Sequence, residues 1–213
     1  MLYTETVAPK TLELLRSLMH DPVFSQFNLV GGTSISLQMG HRVSIDLDLF
    51  SNASFNEQKL TEHLRQNYGY ELDFIEKETV KGEIDGVKID CIAHKYPWLK
   101  EPIIINGIRL ATCNDLAAMK LNAIVGNGTR LKDFIDIAYL SKKMSLNDMI
   151  SAYQTKYTSN GVMVLKALAY FDDINFKEPI NMLDSHNKFD WKPIKKHLLL
   201  MIKHSNQIFE KIT

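Results

Sequence analysis

The 213-residue sequence predicts an α+β fold, with an α/β half over residues 1–112 and a helical half over residues 113–213. Three observations predict it. Alternating apolar residues and two glycine turns, Asp85-Gly86 and Asn106-Gly107, fill the stretch before residue 112. From Asn114 onward, apolar residues recur at helical spacing instead. A glycine pair, Gly31-Gly32, joins a short apolar run to a helix-like segment, and an acid-bearing strand follows it.

Taken in order, residues 9–20 form a helix, with Leu12, Leu15 and Met19 on one side and Pro9 suited to its first turn. Asp21-Pro22 ends it, and Phe27 to Val30 is a short strand entering the glycine pair. Ser34 to Met39 is a short helix, and Val43 to Phe50 a strand. Asn56 caps a helix running to Tyr68, which Gly69 stops. Strands follow at Glu71 to Ile75, Thr79 to Ile84 and Val87 to Ile92, then a hairpin from Ile103 to Ala111. Asn114 caps the next helix, which breaks at Gly126-Asn127-Gly128-Thr129. Helices are expected at Arg130 to Lys143, near 146–156, near 160–172 and at Trp191 to Ile212, with a loop from Asn175 to Asp190. No internal repeat or low-complexity segment is present.

The stretch from Leu29 to Phe50 carries the chemistry. Gly31 and Gly32 allow a sharp bend and a close approach to a ligand. Thr33 and Ser34 are good N-caps, so free helix N–H groups are expected to face a phosphate there. Asp46 and Asp48 alternate with Ile45, Leu47 and Leu49, which places both acids on one strand face about 7 Å apart. Two such carboxylates repel one another unless a cation lies between them. Asp90 is a third acid, mid-strand between Ile89 and Cys91, and it shares a face with Lys88 and Ile92. An acid in that setting needs a partner. If its strand lies beside Asp46 and Asp48, the three form a metal cage.

Composition sets the limits. There are 25 basic and 25 acidic residues, so the formal charge is zero and the chain is not coated for nucleic-acid binding. Residues 1–110 carry 11 basic and 15 acidic side chains (net −4), residues 111–176 carry 7 and 6 (net +1), and residues 177–213 carry 7 and 4 (net +3). A polyanion would therefore meet the C-terminal half, unless those lysines are only a solvated face. No run is long enough to span a membrane, and the N-terminus has no signal-peptide pattern, so a cytoplasmic location is expected. Cys91 and Cys113 form no CxxC, which argues for reduced thiols and no zinc site. His20, His63, His94, His186, His197 and His204 lack metal-ligand spacing and are read as surface or core. Ser34 has no G-x-S-x-G context.

Gly31-Gly32-Thr33-Ser34 followed by Asp46-Leu47-Asp48, with Asp90 in third place, resembles the signature of the nucleotidyltransferase superfamily. With His41-Arg42, Ser44, Leu49 and Phe50 added, the pattern is most similar to the AbiEii/AbiGii toxin family. Asp115-x4-Lys120 resembles that family's aspartate-to-lysine helix motif, and the stretch from Arg130 to Ile137 its Lys-Asp-x-x-Asp segment. The matches span residues 30–137, and no diagnostic motif lies beyond residue 145.

The resemblance implies a mixed nucleotidyltransferase-type sheet with flanking helices, followed by a helical bundle that completes the active-site cleft. It implies metal-dependent transfer of a nucleoside monophosphate from a nucleoside triphosphate to an acceptor, with tRNA as the acceptor in some relatives. It also implies the toxin role of a toxin–antitoxin or phage-defence pair, and hence an antitoxin protein as partner. Asp46 and Asp48, with Asp90, would hold Mg²⁺ (or Mn²⁺), two ions roughly 3.5–4 Å apart, and Asp90 would either complete the first ion's shell or accept the proton of the acceptor hydroxyl. Gly31, Gly32, Thr33 and Ser34 would meet the phosphates at a helix N-terminus. Lys120 would neutralise a phosphate, and Asp133 would orient Lys120 or Lys132 in the site. Lys132 and Asp136 stand four residues apart, so they are either site residues or a helix salt bridge worth roughly 0.2–0.5 kcal/mol. Arg130 reaches a phosphate or the base, or else merely starts a helix. His41-Arg42 either sets a cation by the triphosphate or is structural. Tyr96 and Trp98 either stack on a base or anchor a loop. Two other functions remain open: transfer to a small molecule of aminoglycoside type or to a protein side chain, and a nucleotide-binding module without turnover. The three acids argue against the second.

Overall fold

A computed structural model of the chain describes residues 1–183 and 189–212, so His186 and part of the loop expected over Asn175 to Asp190 lie outside the described residues. Helix α1 (Pro9–His20) begins with Pro9, where the missing N–H costs nothing, and buries Leu12, Leu15, Leu18 and Met19. The chain then enters β1, which is only Asn28–Leu29. Arg109 fixes this approach by donating to the carbonyls of Met19, Phe24 and Phe27 at 2.8, 2.8 and 3.0 Å.

Helix α2 (Gly31–Met39) starts three residues earlier than the capping pattern of Thr33-Ser34 predicts. Gly31 has φ +67°, so the glycine is itself the turn, and Val30 holds the cap position without a side-chain bond. Strand β2 (Leu47–Ser51) starts four residues later than expected. Before it, Val43 N–H is taken by the Asn181 carbonyl and Ser44 N–H by the Thr6 carbonyl, so neither is left for a ladder. Helix α3 (Glu57–Tyr68) is capped by the Asn56 side chain, which accepts from Lys59 N–H, and stops at Gly69 in the left-handed region.

Strands β3 (Glu71–Glu76), β4 (Thr79–Ile84) and β5 (Val87–Ala93) match the alternation closely. Asp85-Gly86 and Asn106-Gly107, which joins β6 (Ile103–Ile105) to β7 (Ile108–Leu110), both have positive φ at the two central residues. That is the conformation a tight hairpin needs. The seven strands form one mixed sheet in the order β3-β4-β5-β2-β1-β7-β6. β2 runs parallel to β5, β1 parallel to β7, and the other neighbours are antiparallel.

Helix α4 (Cys113–Gly126) takes Thr112, not Asn114, at its cap. α5 (Leu131–Leu140), α6 (Leu146–Tyr157), α7 (Gly161–Leu168) and α8 (Trp191–Lys203) follow. α6 is fixed by a capping box, Ser145 with Asp148. α8 is about nine residues shorter than expected, because the chain beyond Lys203 turns back so that Phe209 N–H reaches the Ser141 carbonyl.

Burial follows two clusters. One packs α1 and α3 against a sheet face that includes Leu29, Leu47, Leu49, Ile89, Cys91 and Leu110. The other gathers α4, α5, α6 and α8 around Leu121, Phe134, Ile137, Met149 and Leu198, and also takes in Val30, Ile35 and Met39. Each fully buried leucine in these clusters contributes roughly 1.5–3 kcal/mol. The second cluster therefore crosses residue 112 and ties α2 to the helices. Because β2 alternates, Leu47 and Leu49 face the first cluster while Asp48 and Phe50 face the helical half. The catalytic candidates stand on that second face. Among the described residues, no helix is long and apolar enough to cross a membrane.

Candidate active site

A cleft of about 350 Å³ opens between β2, the start of α2, α4 and the start of α5, a size that suits a small ligand. Asp46, Asp48 and Phe50 line its floor. Gly31 and Gly32 form one wall, Lys120, Arg130, Lys132 and Asp133 the other, and Pro179 and Asn181 the rim.

The glycine pair is required by contact as well as by dihedral. A Cβ on Gly31 would stand 1.9 Å from Asp48 Oδ2, and one on Gly32 would stand 2.4 Å from Arg42 Nη2. Any other residue would displace a carboxylate and a guanidinium from the cleft. Gly31, at the start of α2, thus lies directly against the Asp48 carboxylate.

Opposite, a buried ionic network links the two halves of the chain. Asp136 accepts from Arg42 Nε at 2.7 Å and Arg42 Nη2 at 2.9 Å, lies 2.9 Å from His41 Nε2, and pairs with Lys120 Nζ at 2.9 Å. Lys120 Nζ also donates to Asp133 Oδ1 at 2.6 Å. Asp133 Oδ2 is buried without a hydrogen-bond partner. Burial pushes Asp136 upward, but Arg42, Lys120 and His41 outweigh it and hold its carboxyl well below the usual range. Burial pulls Lys120 down, yet Asp136 and Asp133 more than restore it, so the ammonium stays charged. Asp48 shows the opposite balance. Burial, reinforced by Asp90 and Asp46, raises it to about 6 despite Lys120 and Arg130.

The structure brings together Gly31, Gly32, Asp46, Asp48, Lys120, Arg130, Lys132 and Asp133. Four other expected site residues do not line the cleft. The Thr33 hydroxyl bonds to the Asp46 carbonyl and to Ser44 Oγ, so it fixes the approach to β2 instead of facing a phosphate. Ser34 is fully buried, and its Oγ accepts from Gln38 Nε2. Asp136 is completely buried behind Lys120 and Arg42 and does not line the cleft. Asp90 pairs in register with Asp48 across the parallel β2–β5 ladder and so shares its face. The antiparallel β4 sets Lys81 opposite it, and Lys81 Nζ takes Asp90 Oδ2 at 2.7 Å. Lys132 is paired with Glu178, so it and Asp136 do not form the helix salt bridge.

Among the described residues, no three His, Cys, Asp or Glu side chains stand as a preformed metal cluster. The donor set nevertheless fits Mg²⁺ or Mn²⁺. Asp46 and Asp48 supply hard oxygens, and Mg²⁺ commonly takes one or two carboxylates plus substrate phosphate and water. The raised Asp48 and the cradle that a Cβ on Gly31 would fill are what a carboxylate lacking its cation presents.

Three lining residues were given no role in the site by the sequence reading. Phe50, His94 and Tyr157 form an aromatic end to the cleft. His94 Nε2 lies 3.0 Å from the Tyr157 hydroxyl, and its ring centroid is 5.5 Å from that of Phe50. The signal for His94 was its position just beyond β5, where its N–H reaches the Ser51 carbonyl at 2.7 Å. Tyr157 ends α6, and nothing local marked it. Tyr96 packs on His94 and Tyr157 from behind, Trp98 lies under Lys156, and neither lines the cleft. Asp115, read as part of a motif with Lys120, is fully buried and paired with Lys156.

Residues 13–106 match the model of the family described as nucleotidyl transferase AbiEii toxin, Type IV TA system. This bears out the resemblance carried by Gly31, Gly32, Asp46 and Asp48, whereas Lys120 to Asp136 lie beyond the matched residues. An uncharacterized protein of Aquifex aeolicus is 29% identical over 168 residues, covering 76% of this chain and 81% of its own length. A Helicobacter pylori protein described as a candidate nucleotidyltransferase superposes with a TM-score of 0.55 at 17% identity, over 93% of this chain and 96% of that one. A second H. pylori structure, JHP933, gives a TM-score of 0.53 at 18% identity, over 94% and 93%. At that identity the two structures establish the fold.

Proposed function

We propose, starting from a nucleotidyltransferase whose residues 13–106 carry the AbiEii toxin signature, that the chain transfers a nucleoside monophosphate from a nucleoside triphosphate to the acceptor end of tRNA, as the toxin of a toxin–antitoxin pair. The observation that carries the chemistry is one cleft holding Asp46 and Asp48 under a glycine-opened helix N-terminus and facing Lys120 and Asp133. The tRNA acceptor and the phage-defence setting rest on the family resemblance.

In this reading the free amides of the first turn of α2 and the cations Arg42, Lys120 and Lys132 bind the triphosphate. Asp46 and Asp48 would hold Mg²⁺, with Asp90 beside them once released from Lys81, and the ion would supply neutralisation of charge on the reacting phosphate. The acceptor hydroxyl oxygen forms a bond to the α-phosphorus, and the bond from that phosphorus to the bridging oxygen breaks. Pyrophosphate leaves, and Asp133 Oδ2, which lacks a donor, takes the hydroxyl proton.

The test incubates the protein with each labelled nucleoside triphosphate, Mg²⁺ and total tRNA. Label moves onto tRNA, and Asp48→Ala lowers the rate at least about 100-fold, the upper end of what even an outer partner of a metal ligand commands. Chelation with EDTA abolishes transfer. Label appearing only on small molecules or on protein overturns the tRNA acceptor. Growth arrest on expression, relieved by a neighbouring reading frame, tests the toxin role.

A further inference from the structure

The cleft is polar at one end and aromatic at the other. Arg42, Ser44 and Asp46 mark the polar end, where β2 begins. Two residues past Asp48, Phe50 begins the other end, about 7 Å further along the strand. His94 and Tyr157 complete it. Arg42 stands at the first end, and the residues named at the second carry no charge of their own. Burial, aided by nearby Lys156, pushes His94 down to about 4, so the imidazole is neutral near pH 7. Burial raises the Tyr157 phenol, so it stays protonated. Lys156 itself is turned away and held by Asp115 Oδ1 and the Pro97 carbonyl, each at 2.9 Å.

A neutral wall with π faces and a hydroxyl–imidazole edge suits an uncharged heteroaromatic ring. It offers no positive charge to a phosphate. The wall is also rigidly built. Lys156 precedes Tyr157 and clamps the end of α6 to the N-terminal turn of α4 and to the segment after His94 through Asp115, Leu99 N–H and the Pro97 carbonyl. Tyr96 backs both rings with centroids 4.7 Å away.

We propose that His94 and Tyr157, with Phe50 beneath, form the subsite for the nucleobase of the donor triphosphate. This rests on the cleft binding a nucleoside triphosphate at all. Its test separates base from phosphates. Calorimetric titrations in Mg²⁺ compare each nucleoside triphosphate with inorganic tripolyphosphate, on the wild type, Tyr157→Ala and Tyr157→Phe, with thermal melts as the folding check. Tyr157→Ala weakens the best-bound triphosphate roughly 5- to 150-fold while tripolyphosphate affinity stays within about two-fold, and Tyr157→Phe, which keeps the ring, binds within a few-fold of wild type. If the alanine variant melts early, Tyr157→Leu replaces it, keeping bulk without a π face. Equal weakening of both ligands, or of neither, overturns the subsite and leaves the transferase reading standing. A wild type that binds tripolyphosphate as tightly as any nucleotide also overturns it. A wild type that binds neither overturns the underlying reading as well.

Discussion

Asp115 and Asp136 are both completely buried, and each is met by a lysine, yet their surroundings differ. Around Asp115 every valence is closed. It takes Lys156 Nζ at 2.9 Å, Leu99 N–H at 3.0 Å and the Thr112 hydroxyl at 3.1 Å, and Lys156 spends another proton on the Pro97 carbonyl. Around Asp136 the network runs on through Lys120 to Asp133, and it ends in an oxygen with no donor on a cleft wall. The first arrangement is a clasp between α4, α6 and the segment after β5. The second uses the same ion-pair chemistry but leaves one buried acceptor unpaired, on a residue that lines the cleft. Satisfaction of the last lone pair, more than depth of burial, is what separates the two networks.

The largest effect expected from breaking this contrast falls on the closed side. Lys156→Met strands the Asp115 carboxylate, and its cost is expected at about 3–5 kcal/mol in urea unfolding. Adding Asp115→Leu recovers most of that loss, since removing both charges is often neutral. A cost under about 1 kcal/mol for Lys156→Met alone would show that the clasp is not holding the fold.

A smaller effect of opposite sign is expected at the cleft floor. The Asp48 carboxyl is raised from 3.8 to about 6. The folded state therefore binds its proton more tightly than the unfolded chain does. The metal-free protein carries no penalty at Asp48 below about pH 4. It loses stability as pH rises from about 4 to 6, by roughly 3 kcal/mol at most, and stays at that level above. Asp48→Asn removes the penalty, so in EDTA at pH 8 the variant unfolds at higher denaturant by about 1–3 kcal/mol, while at pH 4 the two proteins coincide. Mg²⁺ narrows the gap by stabilising only the wild type. An Asp48→Asn variant less stable than wild type at pH 8 in EDTA would mean that the carboxylate is structurally satisfied, like Asp115.

Most of the fold was legible because its signals are local. The alternation of β4 and β5, the Asp85-Gly86 turn, the Asn56 cap and the α1 stripe each depend on residues within a few positions. Boundaries failed where a distant partner decided them. β2 starts late because Asn181 and Thr6 claim the N–H groups before it, and α2 starts early because Gly31 must clear Asp48. The site divides the same way. Gly31, Gly32, Asp46 and Asp48 stood out by spacing and Lys120 through the family resemblance, whereas the bonds that hold the Thr33 and Ser34 hydroxyls to Ser44 and Gln38, and Asp90 to Lys81, could not be read from the sequence. Arg42 was left undecided, because its partner Asp136 lies 94 residues away. Tyr157 was invisible, since only tertiary packing carries the end of α6 to the cleft.

The smallest stability effect is also the sharpest test of the contrast. Asp133→Asn removes a charge from Lys120, but Lys120 keeps Asp136 at 2.9 Å, so no ion is stranded. Asp133 Oδ2 has no donor to lose. Stability is therefore expected to change by no more than about 1 kcal/mol in either direction. Transfer should nonetheless fall by roughly 100-fold or more, with triphosphate affinity nearly kept, because the amide cannot take the proton of the acceptor hydroxyl. Asp136→Asn, by contrast, withdraws the charge that Arg42 and Lys120 share, so it should cost stability as Lys156→Met does. If Asp133→Asn unfolds as readily as Asp136→Asn, the open oxygen is a strained member of a closed structural network, and the proton must be taken elsewhere in the cleft. If the two variants separate, the boundary between scaffold and chemistry runs between two acids one helical turn apart on α5.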